Sequence, residues 1–439
     1  MREGVIYMQT IRVDGLKRLS GSVKIHGAKN SALPVLAAAF LANKQSVIHN
    51  CPNLSDVSAS IQILRHLGSE ILQEGTTLII DSSRPKAYDI PEELMKEMRS
   101  SIVFLGAILA KTGKARLSMP GGCDIGLRPI DIHTTALEQM GVIIKSEHGY
   151  TNYDAPNGLK GAVIALSMPS VGATENIMLA ATQAKGTTTI INAAREPEIS
   201  DLADFLNGCG AKIHGAGEHT ITIEGVKKIG GTDHTVISDR ITATTFMCAA
   251  AITQGNVTVT DIVPAHLGPV IPYFEEAGCD VLIKSNALTV IAPPRLRPMK
   301  NIRTMPYPGF PTDAQALMMS LACVAEGTSV FVETIFENRY KHVPQLIRLG
   351  ADIKVQDRVA VVEGAKKMYG AAVEATDLRG GAAMVVAALG AEGKSEISNI
   401  HHIDRGYEGL VENLSALGAK ISKTEKSSAS SEEIKLLEI

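Results

Sequence analysis

Apolar residues recur along the chain in a helical pattern that ends on glycine and gives way to short β-branched strands. In SDVSASIQILRHLG, apolar residues three or four apart between Val57 and Leu67 lie on one helical face. Gly68 follows, at the position that favours a left-handed helix end, and Ser55 or Asp56 is expected to cap the helix start. With the strand-like segments around it, one unit is predicted to run β-α-β-α-β-β over about 70 residues.

This unit occurs six times. The glycines that end its second helix are spaced 73, 69, 68, 72 and 68 residues apart. A second phrase, an Ala-rich helix followed by a β-branched strand, keeps step with the first. Six such units are too many for one small core, so we expect two domains of three units each. The polar stretch 423–439 is predicted to be a mobile tail. The repeated glycines are Gly68, Gly141, Gly210, Gly278, Gly350 and Gly418.

Composition excludes several classes of function. The 439 residues include 45% hydrophobic and 20% charged residues, a globular balance. The net charge of −3 and the lack of tryptophan argue against a nucleic-acid binder. The sequence has no apolar run of about 18 residues and no signal-peptide pattern, so we expect a cytoplasmic protein. It also lacks C-x-x-C pairs, a phosphate-binding P-loop and a strand–GxGxxG–helix unit, which argues against zinc, nucleotide triphosphates and dinucleotides.

A polar or small sequence precedes each Ala-rich helix. If three units pack around a pseudo-three-fold axis, their equivalent helix starts point in the same direction. Two such domains placed face to face would then direct six helix starts into one cleft. Free N–H groups and positive helix dipoles there attract anions. The pattern therefore predicts a site for a strongly anionic substrate. The residues at these starts are Lys29, Asn30, Arg99, Ser170, Thr174, Asp239, Arg240, Asp313, Asp377 and Arg379.

Two further segments carry candidate chemistry. In MPGGCDIGLRPIDIH, Cys123 lies in a glycine-rich loop near Arg128, and a nearby guanidinium favours the thiolate. In NIHHIDRGYEGL, His401 and His402 are adjacent. Neighbouring residues on a strand point to opposite faces, so we predict no metal site there.

Taken together, the motifs GAKNSALP, PGGCDIGLRPIDIH, PSVGATENIM, NAAREPEI, FPTDAQA, TIFENRY, ATDLR and HIDRGYE resemble the UDP-N-acetylglucosamine enolpyruvyl transferase family. The resemblance extends from about residue 11 to residue 421, with the motifs in the family's order. It implies an α/β fold of the inside-out α/β barrel type, with two similar domains around pseudo-three-fold axes. The chain would cross between domains near Lys29 and Ser238. We therefore expect one domain at 30–237 and the other at 1–29 plus 238–439.

The family's reaction moves the enolpyruvyl group of phosphoenolpyruvate to the 3′-hydroxyl of UDP-N-acetylglucosamine and releases phosphate, without a cofactor or metal. By resemblance, Cys123 is the general acid and can form an adduct with phosphoenolpyruvate. Asp313 is the candidate base, and Asp377 assists near the same hydroxyl. Lys29 and Arg405 bind phosphoenolpyruvate.

The resemblance also implies further substrate contacts. Arg128 would join the cations around phosphoenolpyruvate, and Asn30 would contact the reacting centre. The turn Arg128, Pro129, Ile130, Asp131 and Ile132 would bind uridine, and Ser170, Val171 and Gly172 the diphosphate. The remaining expected contacts are Ile335, Arg99, Arg339 and Arg379.

The chain departs from some relatives at two places. Some relatives carry a lysine just before the Ser-Val-Gly motif, where this chain has Met168 and Pro169. We therefore expect one charge contact to the diphosphate to be absent. Val103 replaces a tryptophan, which affects packing. Cys123 is retained, so we predict inactivation by fosfomycin, an epoxide that alkylates this thiol.

Other functions remain open on the sequence. A 3-phosphoshikimate enolpyruvyl transferase or an RNA 3′-phosphate cyclase could have this fold, although the GGC loop and the uridine turn favour the amino-sugar enzyme. A non-catalytic sensor of the sugar nucleotide is a different class, and the presence of Cys123, Asp313, Lys29 and Arg405 disfavours it. A purely structural repeat protein would not need charged helix starts.

Overall fold

The computed structural model describes residues 7–118 and 130–427. Within these ranges, the strands are β1 (Tyr7–Asp14), β2 (Ser20–Lys24), β3 (Ser46–His49), β4 (Glu70–Glu74), β5 (Thr77–Asp81), β6 (Asp89–Ile90), β7 (Lys114–Ser118), β8 (Ile143–Glu147), β9 (Tyr150–Asp154), β10 (Val163–Ala165), β11 (Thr187–Ile191), β12 (Lys212–His214), β13 (Thr220–Glu224), β14 (Asp233–Thr235), β15 (Asn256–Thr260), β16 (Asp280–Ile283), β17 (Ala287–Ile291), β18 (Asn301–Arg303), β19 (Thr328–Val332), β20 (Asp352–Gln356), β21 (Val359–Glu363), β22 (Ala372–Glu374), β23 (Lys394–Ser398) and β24 (Lys420–Ser427).

The α-helices in the same ranges are α1 (Lys29–Ala39), α2 (Ser55–His66), α3 (Glu92–Glu97), α4 (Phe104–Thr112), α5 (Asp131–Gln139), α6 (Val171–Ala181), α7 (Pro197–Gly208), α8 (Arg240–Ile252), α9 (Ile271–Glu276), α10 (Thr312–Ala322), α11 (Val343–Arg348), α12 (Leu378–Gly390), α13 (His401–Asp404) and α14 (Leu410–Ala416). Short 3-10 helices cover Arg99–Val103 and Pro264–Leu267. Each of these helices is too short or too polar to span a lipid bilayer.

The strands form six four-stranded sheets that share one pattern. In every sheet the first two strands are parallel and the remaining pairs are antiparallel. This is the order that a β-α-β-α-β-β unit produces, so the six-fold repeat is confirmed. The sheets are β14-β3-β5-β4, β6-β7-β9-β8, β10-β11-β13-β12, β2-β15-β17-β16, β18-β19-β21-β20 and β22-β23-β1-β24.

Two of the parallel pairs join strands that are far apart along the chain. Strand β2 pairs in parallel with β15, and β14 pairs in parallel with β3. The segments that follow these strands run side by side, with Gly27 and Ser238 in an antiparallel bridge. Ala28 N donates to the Ile237 carbonyl at 2.7 Å, and Asp239 N donates to the His26 carbonyl at 2.9 Å.

Most buried hydrophobic residues of the described ranges fall into two clusters. One draws its members from Ala32 to Val236, and the other from Ile11–Ile25 and Ala243–Ala419. In the second cluster, α8, α10 and α12 pack against one another. These helices are buried nearly all round because they are rich in alanine and small residues. The exact domain limits at 29/30 and 237/238 remain a prediction.

The repeated glycines adopt the conformation expected of them. All six have φ between +91° and +105° just after a helix, where a side chain would be strained.

The chain end differs from the prediction. The mobile tail was predicted from Lys423, but β24 extends to Ser427 and pairs with β1 along its whole length. The pairing explains the error, because β1 comes from the other end of the chain and local sequence does not reveal it. Residues 428–439 lie outside the described part.

Candidate active site

One carboxylate joins two distant parts of the chain. Lys29 begins α1, Arg405 follows α13, and both contact Asp56 in the first turn of α2. Lys29 Nζ lies 3.0 Å from Asp56 Oδ2, and Arg405 Nε lies 3.1 Å from Oδ1. Asp56 is 2% exposed, so water cannot replace these partners. We call Lys29, Asp56 and Arg405 the Asp56 cluster.

A backbone contact supports the same junction. Asn53 N, just before α2, donates to Glu408 Oε2 at 3.0 Å. The segment that carries Arg405 is therefore attached to the start of α2 at two points.

The prediction that Ser55 or Asp56 caps α2 was wrong. The N-cap residue is Leu54, whose apolar side chain makes no cap hydrogen bond. The Asp56 carboxylate is engaged by the two cations instead. Asp56 was not predicted as a site residue, because an acidic residue in the first turn is common in helices and carries no distinguishing signal.

Burial lowers the pKa of Lys29, and the Asp56 carboxylate opposes this shift. The positive charges of Arg379 and Arg405 lower the pKa further. Arg379 belongs to a second group of charges, so the two groups lie within electrostatic reach of each other. A lysine whose pKa is lowered in this way can hold an anion and can also exchange a proton.

The second group forms at the starts of α10 and α12. Arg379 Nε lies 2.9 Å from Asp313 Oδ1. Arg339 spans two carboxylates, with Nη2 3.6 Å from Asp313 Oδ1 and Nη1 3.8 Å from Asp377 Oδ1. Arg339 also donates to the carbonyl of Thr312 at 3.0 Å through Nη2. We call Asp313, Arg339, Asp377 and Arg379 the Asp313 cluster.

Both acids of this cluster are ionised. Burial alone would raise the pKa of Asp313, but Arg379 and Arg339 outweigh it and hold the pKa well below its usual range. The pKa of Asp377 is likewise lowered, because Arg339 and the backbone N–H of Gly380 outweigh burial. Asp377 Oδ1 caps α12, accepting from the N–H groups of Arg379 and Gly380 at 3.0 and 3.1 Å.

Arg379 is nearly fully buried, and its guanidinium carbon lies 5.5 Å from the centre of the Tyr407 ring. The Tyr407 hydroxyl is 3.0 Å from the Thr245 hydroxyl on α8. Within the described part of the chain, Arg379 Nη1 is buried and has no hydrogen-bond partner. A buried guanidinium with an unused donor is suited to meet an added anion.

Glu333 is a further residue of this region that was not predicted from the sequence. Its carboxylate is 1% exposed and accepts four hydrogen bonds at 2.8–3.0 Å. The donors are the hydroxyls of Thr304 and Thr312 and the N–H groups of Ile335 and Phe336. Glu333 thus fixes the half-buried Ile335 and the start of α10 just before Asp313.

The predicted diphosphate contacts form the start of α6. Ser170 is the N-cap, and its hydroxyl accepts from Ala173 N at 3.4 Å. Val171 and Gly172 open the helix. A Cβ added to Gly172 would come within 3.1 Å of His133 Cε1 on α5, so only glycine fits without displacement.

His133 connects this helix start to the predicted uridine turn. Its Nδ1 lies 3.1 Å from Asn176 Nδ2, and burial lowers its pKa to about 4, so the ring is neutral. His133 follows Ile130, Asp131 and Ile132, the last three residues of that turn. The structure therefore brings three of the five residues of the predicted uridine turn beside the predicted diphosphate contacts.

A cavity of about 420 Å³ opens next to the start of α6. Pro169, Arg195 and His219 line one side, and the loop 305–309 lines the other.

Some predicted residues are placed only in part. Asn30 is half-buried in the first turn of α1. Arg99 begins the 3-10 helix that leads into α4, and its backbone alone is described. Cys123, Arg128 and Pro129 lie outside the described residues. The structure therefore does not test their predicted roles.

The adjacent histidines differ from expectation in their local structure. His401 and His402 lie in α13 rather than on a strand, and their ring centroids are 4.1 Å apart. The prediction of opposite faces was wrong because the segment turns into a short helix. Within residues 7–118 and 130–427, no group of three or more acidic, histidine or cysteine side chains is arranged to hold a metal ion.

Comparison with known proteins decides the family. A family described as EPSP synthase (3-phosphoshikimate 1-carboxyvinyltransferase) matches residues 13–414. The chain is 50% identical over 414 residues to UDP-N-acetylglucosamine 1-carboxyvinyltransferase 2 of Caldanaerobacter subterraneus, covering 94% of this chain and 99% of that protein. This chain belongs to the UDP-N-acetylglucosamine 1-carboxyvinyltransferase family. The resemblance drawn from the motifs is thereby confirmed.

Other members agree with the assignment. UDP-N-acetylglucosamine 1-carboxyvinyltransferase 1 of Symbiobacterium thermophilum is 49% identical over 416 residues, and the match covers 94% of each chain.

Among solved structures, the enolpyruvyl transferase NikO from Streptomyces tendae matches with a TM-score of 0.87 at 28% identity, over 96% of this chain and 100% of that one. The EPSP synthase of Acinetobacter baumannii matches with a TM-score of 0.74 at 20% identity, over 95% and 100%, which shows a shared fold. The predicted enolpyruvyl transferase fold is confirmed.

Proposed function

We propose that this chain transfers the enolpyruvyl group of phosphoenolpyruvate to the 3′-hydroxyl of UDP-N-acetylglucosamine and releases phosphate. The observation that carries the proposal is the 50% identity, over 94% of the chain, to a relative named for this transferase activity. The two charged clusters supply groups that the reaction needs. In the addition step, the sugar oxygen bonds to C2 of phosphoenolpyruvate while C3 takes a proton. In the elimination step, C3 loses a proton and the bond from C2 to the phosphate oxygen breaks.

Asp313 is the base in this proposal. Its pKa lies well below the usual range, so at neutral pH it is a carboxylate, the form that a base requires. Its side chain is 31% exposed, which leaves it open to a substrate hydroxyl. Arg339 and Arg379 orient the carboxylate from the protein side. Asp377 is the second carboxylate at the same place and assists in holding the sugar.

Lys29 and Arg405 bind phosphoenolpyruvate, whose phosphate and carboxylate need several cations. Asp56 holds these two cations close together before the substrate arrives, which reduces the reorganisation that binding requires. Arg405 is 39% exposed on its side chain, so it can turn toward a ligand. Arg128 and Arg99 complete the set of cations in the proposal.

Cys123 is the general acid that protonates C3, and it can also attack phosphoenolpyruvate to form a covalent adduct. A thiol suits both tasks because it donates a proton and is a strong nucleophile as thiolate. This role rests on the resemblance of the PGGCDIGLRPIDIH segment to the family's motif.

The start of α6 binds the diphosphate through its free N–H groups at Ser170, Val171 and Gly172. The uridine lies against the turn that ends at Ile132. Asn30 contacts the reacting centre and Ile335 the sugar. Because Met168 and Pro169 replace a lysine of some relatives, we expect the backbone of α6 to carry more of the diphosphate binding.

The proposed reaction is the first committed step of peptidoglycan precursor synthesis, and it places the chain in cell wall biogenesis, cell shape and cell division. We propose the cytoplasm as its location, where both substrates would be available. No cofactor enters the proposed chemistry, and we propose no nucleic-acid or membrane partner.

A phosphate-release assay with phosphoenolpyruvate and one of two acceptors tests the proposal. We expect release with UDP-N-acetylglucosamine and none above background with shikimate 3-phosphate. The opposite preference would assign the chain to the other branch of the fold. Binding of UDP-N-acetylglucosamine without phosphate release would indicate a non-catalytic sensor.

A further inference from the structure

A buried histidine lies behind the Asp313 cluster. His342 directly precedes α11 and is fully buried. Its Cβ would be 3.1 Å from a Cβ added to Gly380, so it packs against the first turn of α12. This is the turn that Asp377 caps. His342 therefore stands between the segment that carries Arg339 and the helix start that carries Asp377 and Arg379.

The ring is held in one protonation form. His342 Nδ1 lies 3.1 Å from the backbone carbonyl oxygen of Arg339. A carbonyl oxygen only accepts, so Nδ1 carries the hydrogen. His342 Nε2 is buried and has no hydrogen-bond partner among the described residues. Burial lowers the pKa of His342 to about 4, with Arg339 adding to the shift and Asp377 opposing it, so the ring is neutral at physiological pH.

The hydrogen bond acts on the residue that links the two carboxylates. Arg339 is the side chain that reaches both Asp313 and Asp377, at 3.6 and 3.8 Å. These contacts are long for ion pairs, so small changes in the Arg339 backbone would break one or the other. A neutral imidazole fixes that backbone without adding a cation that would compete for Asp377.

We propose that His342 is a positioning residue of the active site, which holds Arg339 in the place where it orients Asp313 and Asp377 together. This inference rests on the proposed function, since the effect is expected on the transfer reaction. The proposed role does not require His342 to contact a substrate. It predicts that the donor at Nδ1, and not the bulk or polarity of the ring, is what matters.

Two amide variants separate these possibilities. His342→Asn places an N–H donor near the position of Nδ1, whereas His342→Gln places it near Nε2 and leaves the Arg339 carbonyl without a donor. We expect kcat to fall about tenfold in His342→Gln, with KM for both substrates within about twofold of wild type. In His342→Asn we expect kcat within about twofold of wild type.

Steady-state kinetics of the three proteins give the answer, with thermal unfolding measured alongside. Equal kcat in both variants, whether high or low, would overturn the proposal, because the position of the donor would then not matter. A loss confined to KM would also overturn it. If one variant does not fold, nitrogen chemical shifts of the His342 ring in wild type decide: an Nδ1-protonated neutral ring supports the proposal, and an Nε2-protonated ring contradicts it.

The same spectra distinguish a failure of the positioning role of His342 from a failure of the proposed function. A wild-type protein that releases no phosphate from phosphoenolpyruvate and UDP-N-acetylglucosamine would refute the proposed function. The ring shifts would still report whether His342 donates to Arg339.

Discussion

Removing the charge of Asp56 tests the electrostatic account of the site. Asp56→Asn keeps the size of the side chain and removes the anion that Lys29 and Arg405 share at 3.0 and 3.1 Å. Loss of one partner from a buried ion pair costs about 3–5 kcal/mol. Arg405 is partly exposed and can turn to water, whereas the Lys29 side chain is only 10% exposed. We therefore expect Asp56→Asn to lower the free energy of unfolding by about 3 kcal/mol, the lower end of this range.

The assay is chemical denaturation of the wild type, Asp56→Asn and a matched control. Asp261→Asn serves as control, because Asp261 pairs with Lys24 at 2.9 Å on the surface, with side chains 47% and 74% exposed. An exposed pair contributes little, so this variant should lose less than about 1 kcal/mol. Asp261 has φ of +56°, which asparagine also tolerates, so the control adds no backbone strain.

The loss should depend on pH in a defined direction. The pKa of Lys29 is lowered in the folded protein, so protonating Lys29 costs stability below its unfolded pKa, and this cost disappears as pH rises toward 10.5. Asp56 raises the Lys29 pKa, and its removal makes the cost larger at neutral pH. The deficit of Asp56→Asn should therefore shrink between pH 7 and pH 10. A deficit no larger than that of Asp261→Asn, or one that grows with pH, would refute this reasoning.

Three further predictions concern catalysis and binding. Asp313→Asn should lower kcat by about 100-fold or more. Because the Asp313 pKa lies well below its usual range, Asp313 should stay ionised in the wild type between pH 8 and pH 5, and a steep loss of activity near pH 6 that Asp313→Asn abolishes would contradict the assignment. Gly172→Ala should raise KM for UDP-N-acetylglucosamine several-fold with little change for phosphoenolpyruvate, since the new Cβ would lie 3.1 Å from His133. An unchanged affinity for UDP-N-acetylglucosamine in titration calorimetry would contradict this prediction. Fosfomycin should inactivate the wild type and add its mass to the intact protein, but not to Cys123→Ser; full activity after long incubation would disprove it.

Local pattern was enough to predict the repeat. Helical periodicity, a glycine at the helix end and the strand that follows are all properties of neighbouring residues, so the six units could be derived from the sequence. The polar helix starts were also predictable, and Asp313 and Asp377 lie at the starts of α10 and α12 as expected.

Partners across the fold could not be derived in this way. Ser55 or Asp56 was expected to cap α2, and the role of Asp56 became visible only when Lys29 and Arg405 were placed beside it. The part of β24 from Lys423 onward was taken for a tail because its partner β1 is more than 400 residues away. Glu333 and His342 carry no local signal either, since the hydroxyls of Thr304 and Thr312 that bond to Glu333, and the Gly380 turn against which His342 packs, are distant along the chain.

The identity of the product tests the central claim most directly. Phosphoenolpyruvate and UDP-N-acetylglucosamine would be incubated with the purified protein, and the nucleotide sugar analysed by mass spectrometry and NMR. The account predicts one phosphate released for each enolpyruvyl ether formed at the sugar's 3′-oxygen. Phosphate released while UDP-N-acetylglucosamine stays unmodified, or an ether at another position, would contradict it.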